Sequence, residues 1–419
     1  MVPLSLSDTN SGRDFWKNQT PNSAFWARPM ALIAEKENPE LIRFVNETFE
    51  PQEQALRENG LSFEHNGQKY NISIIIEDSM KDMKVRMVES GLGGADCLMC
   101  HTRQADWKDV KKINEENAFQ ITRTAEKTVQ LYKEMIEEKG EIVRRKNDYE
   151  VRAGLTTEPL SSSDHHYITL THQYINGTTW FLNIFYRIKA NLLMWAIRGE
   201  DSQSKLKAAK QSVLKHIEEY TGLKLDQCDS SSGNRGTSTT GSQGRRFFSY
   251  ELREKIIDCL PKKYKDLINW LMKTYSIILR AVSFTQPVIV DELKNLTREF
   301  CQFVAKELNW IEYNLTVHNL IFHSPELIER NNGIALGELS EEALESCNKD
   351  VRNYREFLAR KIGHIPNLTD VFNRLFIRSD PVLRLIIDQS QSRRGKRTSL
   401  AQVTGSVNED DALLSKILQ

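Results

Sequence analysis

The chain has no excess charge of either sign, because Lys plus Arg and Asp plus Glu each number 57 among its 419 residues. No net field marks it as a nucleic-acid binder, so any basic face must be local. Long uninterrupted apolar runs are missing too. The most apolar stretch, Trp180 to Ile197, is broken by Arg187 and Lys189, which are costly at the centre of a bilayer. It reads as a buried helix, and no membrane span is expected. The first residues lack the basic, apolar, small-residue pattern of a secretory signal. Four of the six cysteines, Cys228, Cys259, Cys301 and Cys347, show no close regular spacing. A reducing, intracellular home is implied, in which the N-x-[ST] triplets at Asn18, Asn46, Asn176 and Asn314 mean nothing. No internal repeat of useful length is visible.

What is present falls into an unusual order. "ARPMALIAEK" reads as a strand, and Asn38-Pro39 then caps and opens a helix carrying Leu41, Phe44, Val45, Thr48 and Phe49 on one face. "LSFEHNGQKYNISIIIEDS" has Asn66-Gly67 at its middle and β-branched residues on its far arm, a hairpin signal. From about Asn114 to Arg145 the pattern is helical and charged. From about His165 to His323 it is almost wholly helical, with apolar stripes such as Leu267-Ile268-Leu271 and Val290, Leu293, Leu296, Phe300, Val304, Leu308. "DSSSGNRGTSTTGSQGRR" reads as a mobile loop ending in Arg245-Arg246, and the last forty or so residues, with "SRRGKR" and an acidic run, read as a tail.

One short motif carries chemistry. In "GADCLMCHTR" the thiols of Cys97 and Cys100 have the spacing of half a zinc site, and zinc prefers four N or S ligands. His165 and His166 are adjacent and cannot chelate together comfortably. His318 and His323 in "TVHNLIFHSPELIER" have the spacing of the other half, which leaves His101 as a surplus ligand. A shared ion would staple the α/β segment to the end of the helical one.

The runs "DMKVRMVESGLGGADCLMCHTRQADW", "FQITRTAEKTVQLYKE", "HNLIFHSPELIERNNG" and "LESCNKDVRNYREFLARK" resemble, in the same order, the catalytic core of the V(D)J recombination-activating protein 1 and Transib transposase family, over roughly residues 20 to 375. The resemblance implies an α/β, partial RNase H-like (DDE recombinase) fold interrupted by a large all-α insertion. The implied divisions are 1–90 for the RNase H-like segment, 91–155 for the CxxC half of the zinc module, 156–330 for the helical insertion, 331–375 for the helix returning a catalytic Glu, and 376–419 for a disordered tail. It also places structural Zn²⁺ on Cys97, Cys100, His318 and His323.

The family's chemistry is DNA nicking followed by hairpin formation, by hydrolysis and transesterification with two Mg²⁺ or Mn²⁺ ions on an Asp, Asp, Glu triad. Two such ions stabilise both the attacking and the leaving oxygen at phosphorus, and hard cations want carboxylates. The second Asp falls on Asp82 in "KDMKV", with Asp78 as rival, and the Glu falls on Glu345 in "LESCNK", with Glu341 and Glu342 one turn earlier. The zinc would position Glu345 against Asp82. His172 in "ITLTHQYING" partly matches a histidine near the family's active site. Phosphate contacts would fall to Arg103, Arg123, Arg245, Arg246, Arg352, Arg355 and Arg360. A nuclear homodimer acting on DNA is implied, with or without an accessory subunit, and "SRRGKR" is a nuclear-import patch or a soluble tail.

The departure from the family lies at the start. Asp8 and Asp14 lack the strand context of the first catalytic Asp, and the family's RING-type zinc region and nonamer-binding segment have no counterpart here. A truncated core is expected, weak or dead as a nuclease alone. The alternative expectation is a relative that keeps the zinc fold for DNA or protein binding and cleaves nothing.

Overall fold

The computed structural model describes residues 4–8, 11–18, 20, 23–76, 81–94, 96–115, 117–142, 153–161, 163–164, 166–194, 197–226, 239–284, 286–331, 335–392 and 409–418. It is mostly helical, and among these residues the sheets are two antiparallel pairs of two strands each. Residues 34–103 with 119–167 form one compact unit, and residues 1–33, 104–118 and 168–419 form another.

The smaller unit opens with α1 (Pro39–Asn59). The Asn38 side chain accepts from the Leu41 N–H at 2.8 Å and Pro39 fills the first turn, as the sequence predicts. Its buried residues are Ile42 and Asn46, while Phe44, expected inward, is 57% exposed. The helix stops at Gly60, where a Cβ would stand 2.2 Å from the Ile72 carbonyl oxygen. Strands β1 (Leu61–His65) and β2 (Gln68–Ile72) pair in register from Leu61 opposite Ile72 to His65 opposite Gln68. The turn between them puts Asn66 and Gly67 at φ 52° and 74°, the left-handed values that a two-residue hairpin of this twist demands. Helix α2 (Met83–Ser90) and helix α3 (Ala125–Lys139) follow, packing Met83, Met87, Leu131, Tyr132 and Ile142 around a core of Leu92, Leu98, Met135 and Leu155.

Two strand expectations fail here and in the neighbouring segment. The apolar run from Met30 to Ala34 is not a strand, and Met30 and Ile33 are exposed. Strand β2 ends at Ile72, leaving Ile75 84% exposed. β propensity expresses itself only against a pairing neighbour and a face to cover, and these residues have neither.

The larger unit is built on α4 (Leu170–Ala190), whose Trp180, Phe181, Leu182, Ile184 and Phe185 are all buried. This is the buried helix predicted from the apolar run, with Lys189 reaching the Cys259 carbonyl at 2.9 Å from its polar end. Among the described residues no helix is long and apolar enough to cross a membrane. Against α4 pack α5 (Glu200–Thr221), α6 (Gly241–Phe247) and α8 (Lys262–Ser283), while α7 (Tyr250–Ile257) packs on α5, α6 and α8, and α9 (Val290–Glu307) on α8. Phe248, Tyr275 and Phe300 meet Trp180 and Phe181, and Phe247 meets Phe185 and Phe248, in one aromatic cluster. The Ser/Gly stretch lies outside the described residues up to 238. Its end is not a loop: Thr240 forms a capping box with Gln243 and starts α6, so Arg245 and Arg246 are helical.

Further on come α10 (Leu315–His318) and α11 (Ser324–Arg330), separated by a π-helical turn over Asn319–His323, then α12 (Glu342–Asn353), α13 (His364–Arg378) and α14 (Pro381–Ser392). The end of the chain is not an aperiodic tail. Helix α15 (Glu409–Ile417) buries Asp410, Leu414 and Ile417, and the Ile417 carbonyl accepts the Ile289 N–H at 2.7 Å. Its acidic first turn meets Arg253, Lys273 and Arg280. "SRRGKR" lies outside the described residues from 393. Asp14 opens a short strand, Asp14–Lys17, paired among the described residues only with Ser5–Ser7.

Gly337 controls how α12 is approached. A Cβ there would lie 2.3 Å and 2.4 Å from the carbonyl oxygens of Ser283 and Phe284, backbone atoms that cannot swing aside. Gly337→Ala is expected to cost about 1–3 kcal/mol, the usual range for overpacking, read as a lower urea midpoint with an unchanged slope.

Candidate metal centre

Cys97 and Cys100 sit in a tight backbone knuckle. The Met99 N–H donates to the Cys97 sulfur at 3.3 Å, and the Thr102 hydroxyl stands 3.0 Å from the Cys100 sulfur. Thr122 and Arg123 each donate a backbone N–H to the Met99 carbonyl at 3.0 Å, which fixes the knuckle to the chain before α3. Both thiols are buried, and burial first, then Cys100 beside it, pushes the Cys97 thiol up. A cation among them reverses that balance, since a coordinating thiol gives up its proton.

His318 and His323 are five residues apart, which on a regular α-helix puts them about 140° from one another. The π-helical turn over Asn319–His323 reduces that offset, because an i→i+5 ladder brings residues five apart onto one face. Their Nε2 atoms come within 3.1 Å, and both rings are fully buried. Trp107 lies flat on His318, with centroids 3.8 Å apart, and locks its ring plane. Nothing local in the sequence pointed to Trp107.

Cys97 and Cys100 belong to the smaller unit and His318 and His323 to the larger, and each pair offers two buried donors of the kind zinc takes. Such a group could hold a metal ion. Two imidazole nitrogens bound to tetrahedral zinc at about 2.0–2.1 Å stand about 3.3 Å apart, close to the observed spacing. The set of two thiolates and two imidazoles is that of structural zinc. His101 is exposed and outside the four, as expected of a surplus histidine.

A second grouping among the described residues brings ligand atoms of His172, Glu341 and Glu345 within 4.8 Å of one another. His172 lies in the first turn of α4, and Glu341 and Glu345 stand one turn apart at the start of α12. Glu341 is buried. Its two oxygens accept the N–H groups of Leu170 and Thr171 at 2.9 Å and 2.7 Å, so it caps α4 where Thr169 makes no side-chain cap. Burial pushes its carboxyl up, and Glu345 adds to the shift. No sequence signal could link a carboxylate to a helix start some 170 residues earlier. Glu342, the other alternative, pairs with Arg245.

Asp82 is exposed at the N-terminus of α2, and its side chain accepts the Lys84 N–H at 2.7 Å as a helix cap. Its rival Asp78 lies outside the described residues. Of the arginines, Arg123 is buried and donates to the carbonyls of Ala153 and Cys100, so it braces the knuckle and does not face solvent. Arg245 stacks on Tyr174 beside its partner Glu342, while Arg103 and Arg246 are exposed. Arg352, Arg355 and Arg360 line an open cleft of about 680 Å³ with Lys361 and His364. Arg360 is engaged there by Asp370, whose carboxyl it holds down at about 2.

No protein-family model matches the chain, and no curated protein sequence is significantly similar to it.

Proposed function

We propose that the chain is a metal-dependent DNA recombinase or transposase core of the recombination-activating and Transib type, working on DNA in the nucleus as a homodimer, with or without an accessory subunit. The partial RNase H-like fold belongs to this proposal. One observation carries it: Cys97 with Cys100, and His318 with His323, form two buried donor pairs about two hundred residues apart, and they are the ligands that the resemblance requires. In this reading zinc is structural. Bound Mg²⁺ or Mn²⁺ supplies positive charge to the oxygens at phosphorus. Glu345, half-buried at the start of α12, holds such an ion, with Asp82 as the second carboxylate, and Arg352 and Arg355 meet the DNA backbone.

The test is nicking of DNA in Mg²⁺ or Mn²⁺. Glu345→Ala and Asp82→Ala are each expected to lose at least about a hundredfold in rate, the usual scale for removing one electrostatic contributor. Unchanged nicking in either variant removes that residue from the site.

A second reading has its own support, since exposed Asp82 caps α2 through the Lys84 N–H. In that reading the chain is a zinc-containing DNA- or protein-binding module. Wild-type protein that binds DNA but nicks it with neither cation is the outcome that favours it.

A further inference from the structure

The geometry points to a second metal site, in which His172, Glu341 and Glu345 together hold one divalent cation of the Mn²⁺ type. It deepens the proposed function and rests on that reading for the reaction, but not for the binding of the ion.

Three features argue for it. The donors come from two elements far apart in sequence: one imidazole from the first turn of α4 and two carboxylates that share a face of α12. One nitrogen and two oxygens suit a hard or borderline cation and leave further coordination positions open, whereas the sulfur-bearing quartet suits zinc. The central donor is also pre-set. Glu341 is 5% exposed, and each of its oxygens is held by one backbone N–H of α4, so its carboxylate is oriented before any ion arrives and still has lone pairs to give. Finally, the arrangement puts a desolvated carboxylate next to a second carboxylate, which is costly without compensating positive charge. The positive end of α4 offsets part of that cost, and a divalent cation offsets the rest.

The competing account gives Glu341 the cap alone and assigns no ion to Glu345 and His172. Titration of zinc-loaded protein with Mn²⁺, followed by electron paramagnetic resonance, separates the two. The expected result is one Mn²⁺ per chain, with imidazole nitrogen coupling in the spin-echo spectrum. His172→Ala is expected to abolish that coupling and, like Glu345→Gln, to weaken binding at least about tenfold. Glu342→Gln, which alters a carboxylate outside the group, should bind as the parent does. Neither His172→Ala nor Glu345→Gln touches the α4 cap, so loss of folding does not confuse the reading. Absence of bound Mn²⁺ at millimolar concentration overturns the site. So does binding that depends on Glu345 but not on His172 and shows no nitrogen coupling, although Glu345 would then keep its place in the proposed function. Mn²⁺ bound through all three residues in a protein that never nicks DNA supports the site and removes the nuclease reading.

Discussion

Purified protein carries one tightly held zinc per chain, and Cys97→Ala and His323→Ala each reduce it to a trace: this is the expected result for a ligand set of two buried thiols and two buried imidazoles. The effect should be large because a structural zinc contributes folding free energy directly, about 10–16 kcal/mol of apparent binding in small zinc domains. Losing one of four ligands leaves three buried polar groups around a gap that water reaches poorly. Chelation of the parent should lower its unfolding temperature in the same direction as the substitutions. Cys259 and Cys301 supply the control. Both thiols are buried and pushed up by burial, Cys259 to about 11, yet neither belongs to the group, so their alanine variants should keep the zinc. Metal analysis of the four variants settles the matter, and zinc retained in both Cys97→Ala and His323→Ala removes the centre.

The second large effect is expected at the chain's last helix. Asp410 is 1% exposed and receives both terminal nitrogens of Arg253, itself buried, in a bidentate pair. Asp410→Ala leaves that guanidinium buried and uncompensated, with Asn269 as its remaining side-chain acceptor, and breaking such a pair on one side costs about 3–5 kcal/mol. The pairs nearby, Lys273 with the exposed Glu409 and Arg280 with the half-buried Asp411, do not replace it, because neither reaches the guanidinium of Arg253. Replacing both members, Arg253→Met with Asp410→Leu, should recover most of the loss, because the penalty comes from the orphaned charge and not from the missing attraction. Urea unfolding of the single and double variants measures this. A single variant within about 0.5 kcal/mol of the parent means that α15 is not held there.

Local signals were readable where the cause is local. Asn38-Pro39 and Asn66-Gly67 set a helix start and a turn through their own backbone preferences, and the structure places both as the sequence predicts. The CxxC and the two histidines were also legible, since metal chemistry restricts residue type and spacing. What stayed hidden depends on distant partners. The Met30–Ala34 run looked like a strand because apolar residues resemble strands whether or not another strand waits beside them. The acidic run at 409–411 looked like a solvated tail because its three basic partners lie on α7 and α8, more than a hundred residues away. Its signal was present all the same: acids in a first turn, then Leu413, Leu414 and Ile417 at helical spacing. The π-helical turn that aligns His318 with His323 leaves no mark in composition.

The Glu341 cap has a consequence for synthesis on the ribosome. Leu170 and Thr171 are translated 171 and 170 residues before the carboxylate that accepts their amides. At about 5–20 residues per second, that interval is on the order of ten to thirty seconds. For that time the nascent α4 must satisfy its first turn with water or a chaperone, and its aromatic face has to wait for the late-made end of the chain before its start is sealed.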